Sequence, residues 1–130
     1  MIVLDTHIWV WWVHNDSRLT DSQLDAIKAN ETDVIGVSAI SLWEIAKLVE
    51  RKNFLLPRPT GEWFKQALSY PGVRILELTP EIAIESTNLP GEFHRDPADQ
   101  IIVATARLHG CALITSDEKI VKYRHVETVS

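Results

Sequence analysis

Short apolar runs alternate with longer stretches of helical periodicity along the 130 residues. The apolar runs predict five strands, over residues 2–5, 33–38, 72–78, 111–117 and 125–129. Helical spacing of apolar residues predicts helices between them, over residues 6–15, 19–30, 39–53, 61–70, 79–89, 96–110 and 118–124. Strands that alternate with helices and are apolar on both sides are typical of a parallel sheet covered on both faces. We therefore expect one domain over residues 1–130, with a three-layer α/β/α fold around a short parallel sheet.

Start and stop signals sharpen the helix boundaries. Hydroxyl residues ahead of the periodic stretches predict N-caps at Thr6, Thr20, Ser38, Thr60 and Thr79. The stretch "HRDPADQ", which opens the last long helix, carries two aspartates three positions apart. Pro97 suits the first helical position, so Asp96 is the expected N-cap, and Gly110 is the expected C-terminal stop. Asp99 then lies in the first turn, where the helix dipole favours its charged form.

Four carboxylates stand apart from other charged groups. Asp5, Glu44 and Asp99 are each the only charged residue in an apolar stretch of 10 to 13 residues, with histidine counted as neutral. Asp117 ends the predicted fourth strand. In open parallel sheets, ligands bind beyond the carboxyl ends of the strands. Asp5 and Asp117 end strands, while Glu44 and Asp99 lie on helices that can face the same crevice, so we expect the four to meet there.

A set of buried carboxylates points to a bound cation, because an unpaired buried carboxylate is costly unless it binds a cation or takes up a proton. Oxygen ligands with no histidine or thiolate among them suit a hard cation, Mg²⁺ or Mn²⁺. Such an ion can bridge to a phosphate and supply a hydroxide for in-line attack on phosphorus. The five histidines show no metal-ligand spacing to one another, and we expect them to be surface or hydrogen-bonded residues.

Each isolated acid also has a purely structural interpretation. Asp5 suits an N-cap or an Asx-turn, and Asp117 suits the start of a turn. Ser41 and Glu44 match a capping box, although a strand that ends near Ser38 places Glu44 inside the helix. Each signal alone is weak, and it is their combination that favours a site.

The same acids account for the negative net charge of the chain. With 13 basic and 18 acidic residues the net charge is −5, unlike that of most nucleic-acid-binding proteins. Without Asp96 and the four isolated acids, 13 acids remain against 13 bases, so the excess acidity is the candidate site itself. The basic residues that could contact an RNA backbone are Lys47, Arg51, Lys52, Arg95, Lys119 and Lys122. A single cysteine, and no apolar run near the roughly 20 residues that span a bilayer, predict a cytoplasmic protein with no membrane segment.

Four stretches, taken together, resemble the motifs of one nuclease family. They are "IVLDTHIWVWW", "VSAISLWEIA", "HRDPADQIIVATA" and "LITSDEKI", and they span essentially the whole chain. The chain is similar to PIN-domain ribonucleases, in particular to the VapC-like toxins of type II toxin–antitoxin systems. The family pattern D-x-x-I-x-A-x-A begins at Asp99 and not at Asp96, and the "HRDPADQ" form resembles a subfamily in which both aspartates occur.

The resemblance implies a PIN-like, Rossmann-like fold and a role for each matching residue. Asp5 and Asp99 would be the main ligands of Mg²⁺ or Mn²⁺, and Glu44 and Asp117 would hold a second metal or the attacking water. By position, Thr6 and Ser116 would support these carboxylates with their hydroxyls, and Asp96 would play a secondary part. Arg95, Lys47 and Lys119 are the basic residues that we expect nearest to the RNA.

The resemblance further implies cleavage of RNA at phosphodiester bonds, a homodimer, and inhibition by a cognate antitoxin protein that covers the groove near the first helices. That groove is where "WVWW" lies. Because Trp9, Trp11 and Trp12 share one short helix, they cannot all face inward, and we interpret part of this stretch as a protein–protein surface.

Three rival functions are weighed against this one. A catalytically silent PIN-like module would bind RNA or protein, but the intact set of four carboxylates argues against it. A phosphatase with a phospho-aspartyl intermediate usually needs a second acid two residues after the first, where this chain has His7. A dinucleotide-binding enzyme would need a glycine-rich turn after the first strand, and none is present.

Overall fold

The computed structural model describes all 130 residues, from Met1 to Ser130. Five short strands alternate with seven helices, in the order β1 (Ile2–Leu4), α1 (Thr6–Val13), α2 (Asp21–Ala29), β2 (Ile35–Ser38), α3 (Ala39–Glu50), α4 (Thr60–Ala67), β3 (Val73–Leu76), α5 (Pro80–Ser86), α6 (Pro97–His109), β4 (Ala112–Ile114), α7 (Glu118–Val121) and β5 (Thr128–Val129). No helix combines the length and the apolar character that a membrane crossing requires.

The strands form one sheet in the order β3-β2-β1-β4-β5, and every neighbouring pair is parallel. The central strand β1 pairs on both sides, so that Ile2 lies opposite Ile35 of β2 and opposite Ala112 of β4. Helices cover both faces. The predicted α/β/α fold with a parallel sheet is therefore confirmed.

Side-chain alternation along β1 divides the core between the two faces of the sheet. Ile2 and Leu4 point to one face, and Val3 points to the other. The first face is covered by α1, α2 and α4, through residues that include Trp9, Ile27 and Trp63. The second face is covered by α6 and α7, through residues that include Ile102, Val103 and Ile120. Because β1 is buried on both sides, its sequence is apolar at every position.

The observed strands are shorter than the sequence predicts. β1 ends at Leu4, before Asp5, and β4 ends at Ile114, before Thr115. β3 spans only Val73–Leu76 of the predicted 72–78. At the carboxyl end of β1 the chain leaves the sheet because the next residue already caps the following helix.

Most of the predicted helix ends are confirmed. The side chains at the expected N-caps accept backbone hydrogen bonds in α2, α3, α5 and α6, at Thr20, Ser38, Thr79 and Asp96. Gly110 ends α6 in the left-handed conformation, with φ of 62°. That conformation favours glycine because a side chain there is strained.

Two predicted caps are wrong. Asp5, and not Thr6, caps α1, and its Oδ1 accepts a hydrogen bond from the Thr6 backbone N–H. Pro59, and not Thr60, holds the N-cap position of α4, where no side chain accepts a hydrogen bond. In both helices the threonine is already the first helical residue. Its hydroxyl is therefore free for other contacts, and for Thr6 these contacts lie in the candidate site.

The tryptophans of α1 divide as expected. Trp9 is fully buried, whereas Trp11 and Trp12 are only partly buried at the edge of the first core cluster. One side of α1 therefore packs in the core and the other remains accessible.

Candidate active site

The carboxyl ends of β1, β2 and β4 border a cavity of about 440 Å³. Five acidic side chains line it, namely Asp5, Glu44, Asp96, Asp99 and Asp117. They come from the loop after β1, from α3, from the start of α6 and from the loop before α7. The structure thus brings all five acids singled out in the sequence to one place, across more than 110 positions of the chain.

Asp5 is the most deeply buried acid of the cavity. Its Oδ1 accepts from the Thr6 backbone N–H at 2.9 Å, and its Oδ2 accepts from the Thr115 hydroxyl at 2.6 Å. Burial raises the pKa of Asp5 above its ordinary value, and the nearby His7 and the Thr115 hydrogen bond only partly oppose this. Asp5 is therefore held in a fixed position in an environment that opposes its negative charge.

Glu44 projects from the second turn of α3 towards Asp5. Its Oε1 accepts from the Thr6 hydroxyl at 2.6 Å, and Thr6 Oγ1 lies 2.8 Å from Ser41 Oγ. Because Thr6 donates its only hydroxyl proton to Glu44, it accepts from Ser41. Ser38 caps the helix, so the capping-box interpretation of Ser41 and Glu44 is wrong, and Ser41 instead supports the Thr6 hydroxyl.

The pKa of Glu44 is raised to about 7. Burial is the main cause, and the negative charges of Asp5, Asp99 and Asp96 add to it. The hydrogen bond from Thr6 acts in the opposite direction. Three neighbouring carboxylates, none of which pairs with a lysine or an arginine, therefore contribute to the raised pKa of Glu44.

Asp96 and Asp99 divide the start of α6 between them. Asp96 caps the helix, since its Oδ1 accepts from the Asp99 backbone N–H at 3.1 Å. The Asp99 carboxylate turns inward, and its Oδ2 lies 2.6 Å from His94 Nε2. Burial raises the pKa of Asp99, and the hydrogen bond from His94 lowers it in part. The cap at Asp96 is as predicted, and its side chain also lines the cavity.

Asp117 caps the short helix α7. Its Oδ1 accepts from the Lys119 backbone N–H at 2.9 Å, and its own N–H donates to the Thr115 hydroxyl at 3.1 Å. Thr115 therefore links Asp117 to Asp5 through one hydroxyl. Asp117 therefore has a structural role at the turn and also lines the cavity.

The hydroxyl that supports Asp5 belongs to Thr115, not to Ser116. Side chains of successive extended residues point in opposite directions, so only one of these two can reach Asp5. Ser116 Oγ instead accepts from Gln23 Nε2 at 2.8 Å. Because Gln23 is fully buried, this hydrogen bond anchors the segment after β4 to the interior. The Ser116 side chain therefore supports none of the carboxylates.

Two histidines that sequence reasoning set aside lie beside the acids. His7 Nε2 accepts from the Ser116 backbone N–H at 3.3 Å, which places the ring proton on Nδ1, 3.5 Å from Asp5 Oδ2. His94 contacts Asp99 as described above. Neither histidine has a sequence spacing that marks a metal ligand. The available signal was position alone, because His7 is two residues from Asp5 and His94 is five from Asp99.

None of the three basic residues expected nearest to RNA, Lys47, Arg95 and Lys119, lines this cavity. Lys47 borders an adjacent cavity and pairs with Glu50 at 2.8 Å. Lys119 borders a separate surface pocket beyond α7. Arg95 is exposed beside Asp96.

A family model for the PIN domain matches residues 2–126. The chain belongs to the PIN-domain family. This PIN domain is also 36% identical, over 129 residues, to the ribonuclease VapC22 of Mycobacterium tuberculosis, a match that covers 99% of this chain and 96% of that protein. The expected resemblance to VapC-like proteins is confirmed.

Solved structures share the fold of this PIN domain. VapBC2 of Rickettsia felis, bound to a DNA fragment from its promoter, superposes with a TM-score of 0.72 at 18% identity, covering 99% of this chain and 98% of that chain. A toxin–antitoxin complex from Klebsiella pneumoniae gives a TM-score of 0.70 at 23% identity, covering 100% of this chain and 97% of that chain. At such identities the likeness concerns the fold alone.

The donor set of this PIN domain suits a hard divalent cation. No lysine or arginine forms an ion pair with any of the five carboxylates. Arg18 lines the cavity, but its guanidinium is bound to Asp16 at 2.7 Å. As the side chains stand, no group of three or more Asp, Glu, His or Cys residues is placed to hold a metal ion together. The cavity therefore concentrates negative charge and oxygen donors without a compensating cation of its own.

Proposed function

We propose that this PIN-domain protein is a divalent-metal-dependent endoribonuclease and the toxin of a toxin–antitoxin pair. The observation that carries the proposal is the single cavity in which five carboxylates meet without a lysine or arginine partner. The relative named as a ribonuclease, which matches nearly the whole chain, favours RNA as the substrate.

In this proposal Asp5 and Asp99 hold Mg²⁺ or Mn²⁺, and Glu44 and Asp117 complete the acidic cluster. A bound divalent ion would draw the scissile phosphate into the cavity and lower the pKa of a water molecule there. The raised pKa values of Asp5, Glu44 and Asp99 support this assignment. Burial is their main cause and the neighbouring negative charges add to it, and a bound cation would offset both.

The surrounding side chains hold these carboxylates in place. Thr115 and the Thr6 backbone N–H fix the two oxygens of Asp5, and the Thr6 hydroxyl fixes Glu44. His94 orients Asp99. The second oxygen of Glu44 makes no hydrogen bond within the protein, so it is free to accept one from an attacking water.

The decisive experiment replaces one candidate ligand without changing its shape. Asp99→Asn should abolish metal-dependent cleavage of RNA, because the amide removes the negative charge while the backbone N–H of residue 99 still donates its capping hydrogen bond to Asp96. Asp5→Asn should do the same. Cleavage of a labelled RNA by the purified proteins, with and without Mg²⁺ or Mn²⁺, measures the loss, and circular dichroism checks the fold.

Asp25→Asn is the matched control, since Asp25 is an exposed residue of α2 outside the cavity. Equal cleavage by wild type, Asp5→Asn and Asp99→Asn would overturn the assignment. Calorimetric titration with Mn²⁺ separates an enzyme from a silent module, because a silent module should show no binding that depends on Asp5 or Asp99.

The partner proposals rest on the relatives. Solved neighbours include toxin–antitoxin complexes, which supports a cognate antitoxin for this chain as well. The partly exposed Trp11 and Trp12 on α1 are the surface that we propose it covers. A homodimer completes the proposal. Co-purification with the product of the neighbouring reading frame, and sedimentation of the free protein, test the two assemblies.

A further inference from the structure

Trp43 differs from the other four tryptophans of the chain. Trp9 packs against Trp63, Trp11 against His7, and Trp12 against Tyr70. Trp43 stacks on no ring and under no cation, and 54% of its surface is exposed. An indole with a free face is unusual on a protein surface, because its apolar area is large. Packing within this chain therefore does not account for Trp43.

The position of Trp43 connects it to the candidate active site. It borders a cavity of about 510 Å³ between α3 and the start of α6. Glu44 and Asp96 line both this cavity and the one that holds the acids. A group bound on Trp43 would therefore lie immediately beside the carboxylates.

Two cations follow Trp43 along the same side of α3. Lys47 and Arg51 come four and eight residues later, which places them one and two turns away on one face of the helix, and both border the cavity. Arg51 forms no ion pair, whereas Lys47 pairs with the exposed Glu50 at 2.8 Å and would exchange that partner for a phosphate. The cavity thus has an aromatic wall next to the acids and positive charge farther out.

Trp11, on the wall of the acidic cavity, shows why Trp43 is the better platform. The Arg18 guanidinium lies over the Trp11 ring at 4.8 Å, and the His7 ring meets it at 4.9 Å. Asp16 holds Arg18 in that position. The ring of Trp11 is therefore already occupied, whereas that of Trp43 is not.

We propose that Trp43 is a stacking platform for a nucleobase of single-stranded RNA, next to the phosphate that is cut, and that Lys47 and Arg51 contact the backbone phosphates beyond it. An aromatic ring beside a basic track is the usual arrangement for single-stranded nucleic acid. The inference rests on the proposed ribonuclease function and assigns one substrate contact within it. Cations in the same cavity favour RNA over a second protein surface.

The test compares Trp43→Ala with Trp43→Phe, both in the Asp99→Asn background so that RNA stays intact. Anisotropy of a short fluorescent single-stranded RNA of mixed sequence measures binding. Trp43→Ala should weaken binding about tenfold, the usual effect of losing one stacked base, and Trp43→Phe should keep most of the affinity. Leu55→Ala, at a residue that is 88% exposed and lines neither cavity, should have no effect.

Salt dependence separates stacking from charge. Arg51→Gln should lower the slope of log affinity against log salt by about 0.7, the contribution of one phosphate contact to a single strand, and Trp43→Ala should leave the slope unchanged. In the active protein, Trp43→Ala should raise KM more than it lowers kcat, because Trp43 would touch a base and not the reacting atoms.

The result that would overturn the proposal is unchanged RNA binding by Trp43→Ala when the parent protein binds. A loss of affinity that accompanies dissociation of a dimer in sedimentation would also overturn it, since Trp43 would then belong to a protein interface. If wild type itself neither cuts nor binds RNA, the ribonuclease proposal fails first, so the two failures are distinguishable.

Discussion

The centre of the sheet is surrounded by apolar side chains, whereas its carboxyl edge is surrounded by polar ones. At the centre, Ile2, Val3 and Leu4 of β1 are buried among apolar side chains on both faces. One residue later the chain becomes polar. Six of the eight buried polar residues gather at or behind that edge, namely Asp5, Thr6, Gln23, Ser38, Ser41 and Thr115.

The two regions contribute to stability with opposite sign. Each buried apolar side chain at the centre adds roughly 1.5 to 3 kcal/mol to the free energy of unfolding. At the edge, the hydroxyls and Gln23 are hydrogen-bonded, but the carboxylates of Asp5, Glu44 and Asp99 stay without a lysine or arginine partner. Burial there opposes the charged forms, as their raised pKa values show. The edge therefore lowers stability in a way that a bound cation would offset.

The largest expected effect comes from the centre. Leu4→Ala removes a fully buried side chain from β1 and should lower the free energy of unfolding by about 2 to 5 kcal/mol. Urea denaturation followed by tryptophan fluorescence measures the change. The free energy of unfolding of the exposed variant Leu55→Ala should equal that of wild type within error. An equal loss in both variants would show that burial at the centre of the sheet is not the source of its stability.

An intermediate effect of the opposite sign is expected at the edge. The folded-state pKa of Glu44, about 7, lies above the ordinary 4.5, so the folded protein loses stability as pH rises from about 4.5 through 7. Glu44→Gln removes this charge and keeps an oxygen for the Thr6 hydrogen bond. At pH 8, without added metal, the variant should be more stable on the order of 1 kcal/mol, once solvent screening at this partly exposed group is allowed for.

Thermal unfolding at pH 8 and at pH 4.5 measures the difference between Glu44→Gln and wild type. At the lower pH most of the gain should vanish, because Glu44 is then protonated in the folded state and about half protonated in the unfolded state. Glu50→Gln on the same helix is the control, because the hydrogen bond from Lys47 lowers the pKa of Glu50. A gain in the Glu50 variant, or an equal gain for Glu44→Gln at both pH values, would contradict the explanation.

An effect of similar size, but a loss of stability, concerns the cap of α6. Asp96→Ala should cost about 1 kcal/mol, because the Asp99 backbone N–H loses its acceptor. Asp96→Asn should restore most of that stability, since asparagine caps equally well. Urea titration of the three proteins is sufficient. Identical stability of the alanine variant and wild type would show that the cap is dispensable.

Local signals in the sequence predicted the parts of the structure that local forces determine. Pro97 and Gly110 fixed both ends of α6, and the apolar runs located all five strands. The isolated positions of Asp5, Glu44 and Asp99 in apolar stretches, combined with the predicted parallel sheet, led to the prediction that they would meet at its carboxyl edge. Strand ends were predicted less well; β1, for example, stops at Leu4 because Asp5 already caps α1.

The supporting contacts could not be predicted in the same way. His94 contacts Asp99 only because the loop before α6 folds back on the first turn of the helix. Thr115 and Ser116 are neighbours with similar side chains. Only the direction of the chain after β4 determines that Thr115, and not Ser116, reaches Asp5. Gln23 of α2 donates hydrogen bonds to Thr115 and Ser116, from which it is separated by more than 90 positions in the sequence. Such contacts depend on tertiary geometry and leave no periodicity in the sequence.

The hydrogen bond between Asp5 and Thr115 joins residues 110 positions apart. A ribosome adds about 5 to 20 residues each second, so Asp5 is made roughly 5 to 20 s before Thr115 and Asp117. Throughout that interval β1 lacks its neighbour β4, and the acidic cluster lacks the segment that closes it. The proposed active site therefore cannot form on a growing chain until almost all of the domain has been translated.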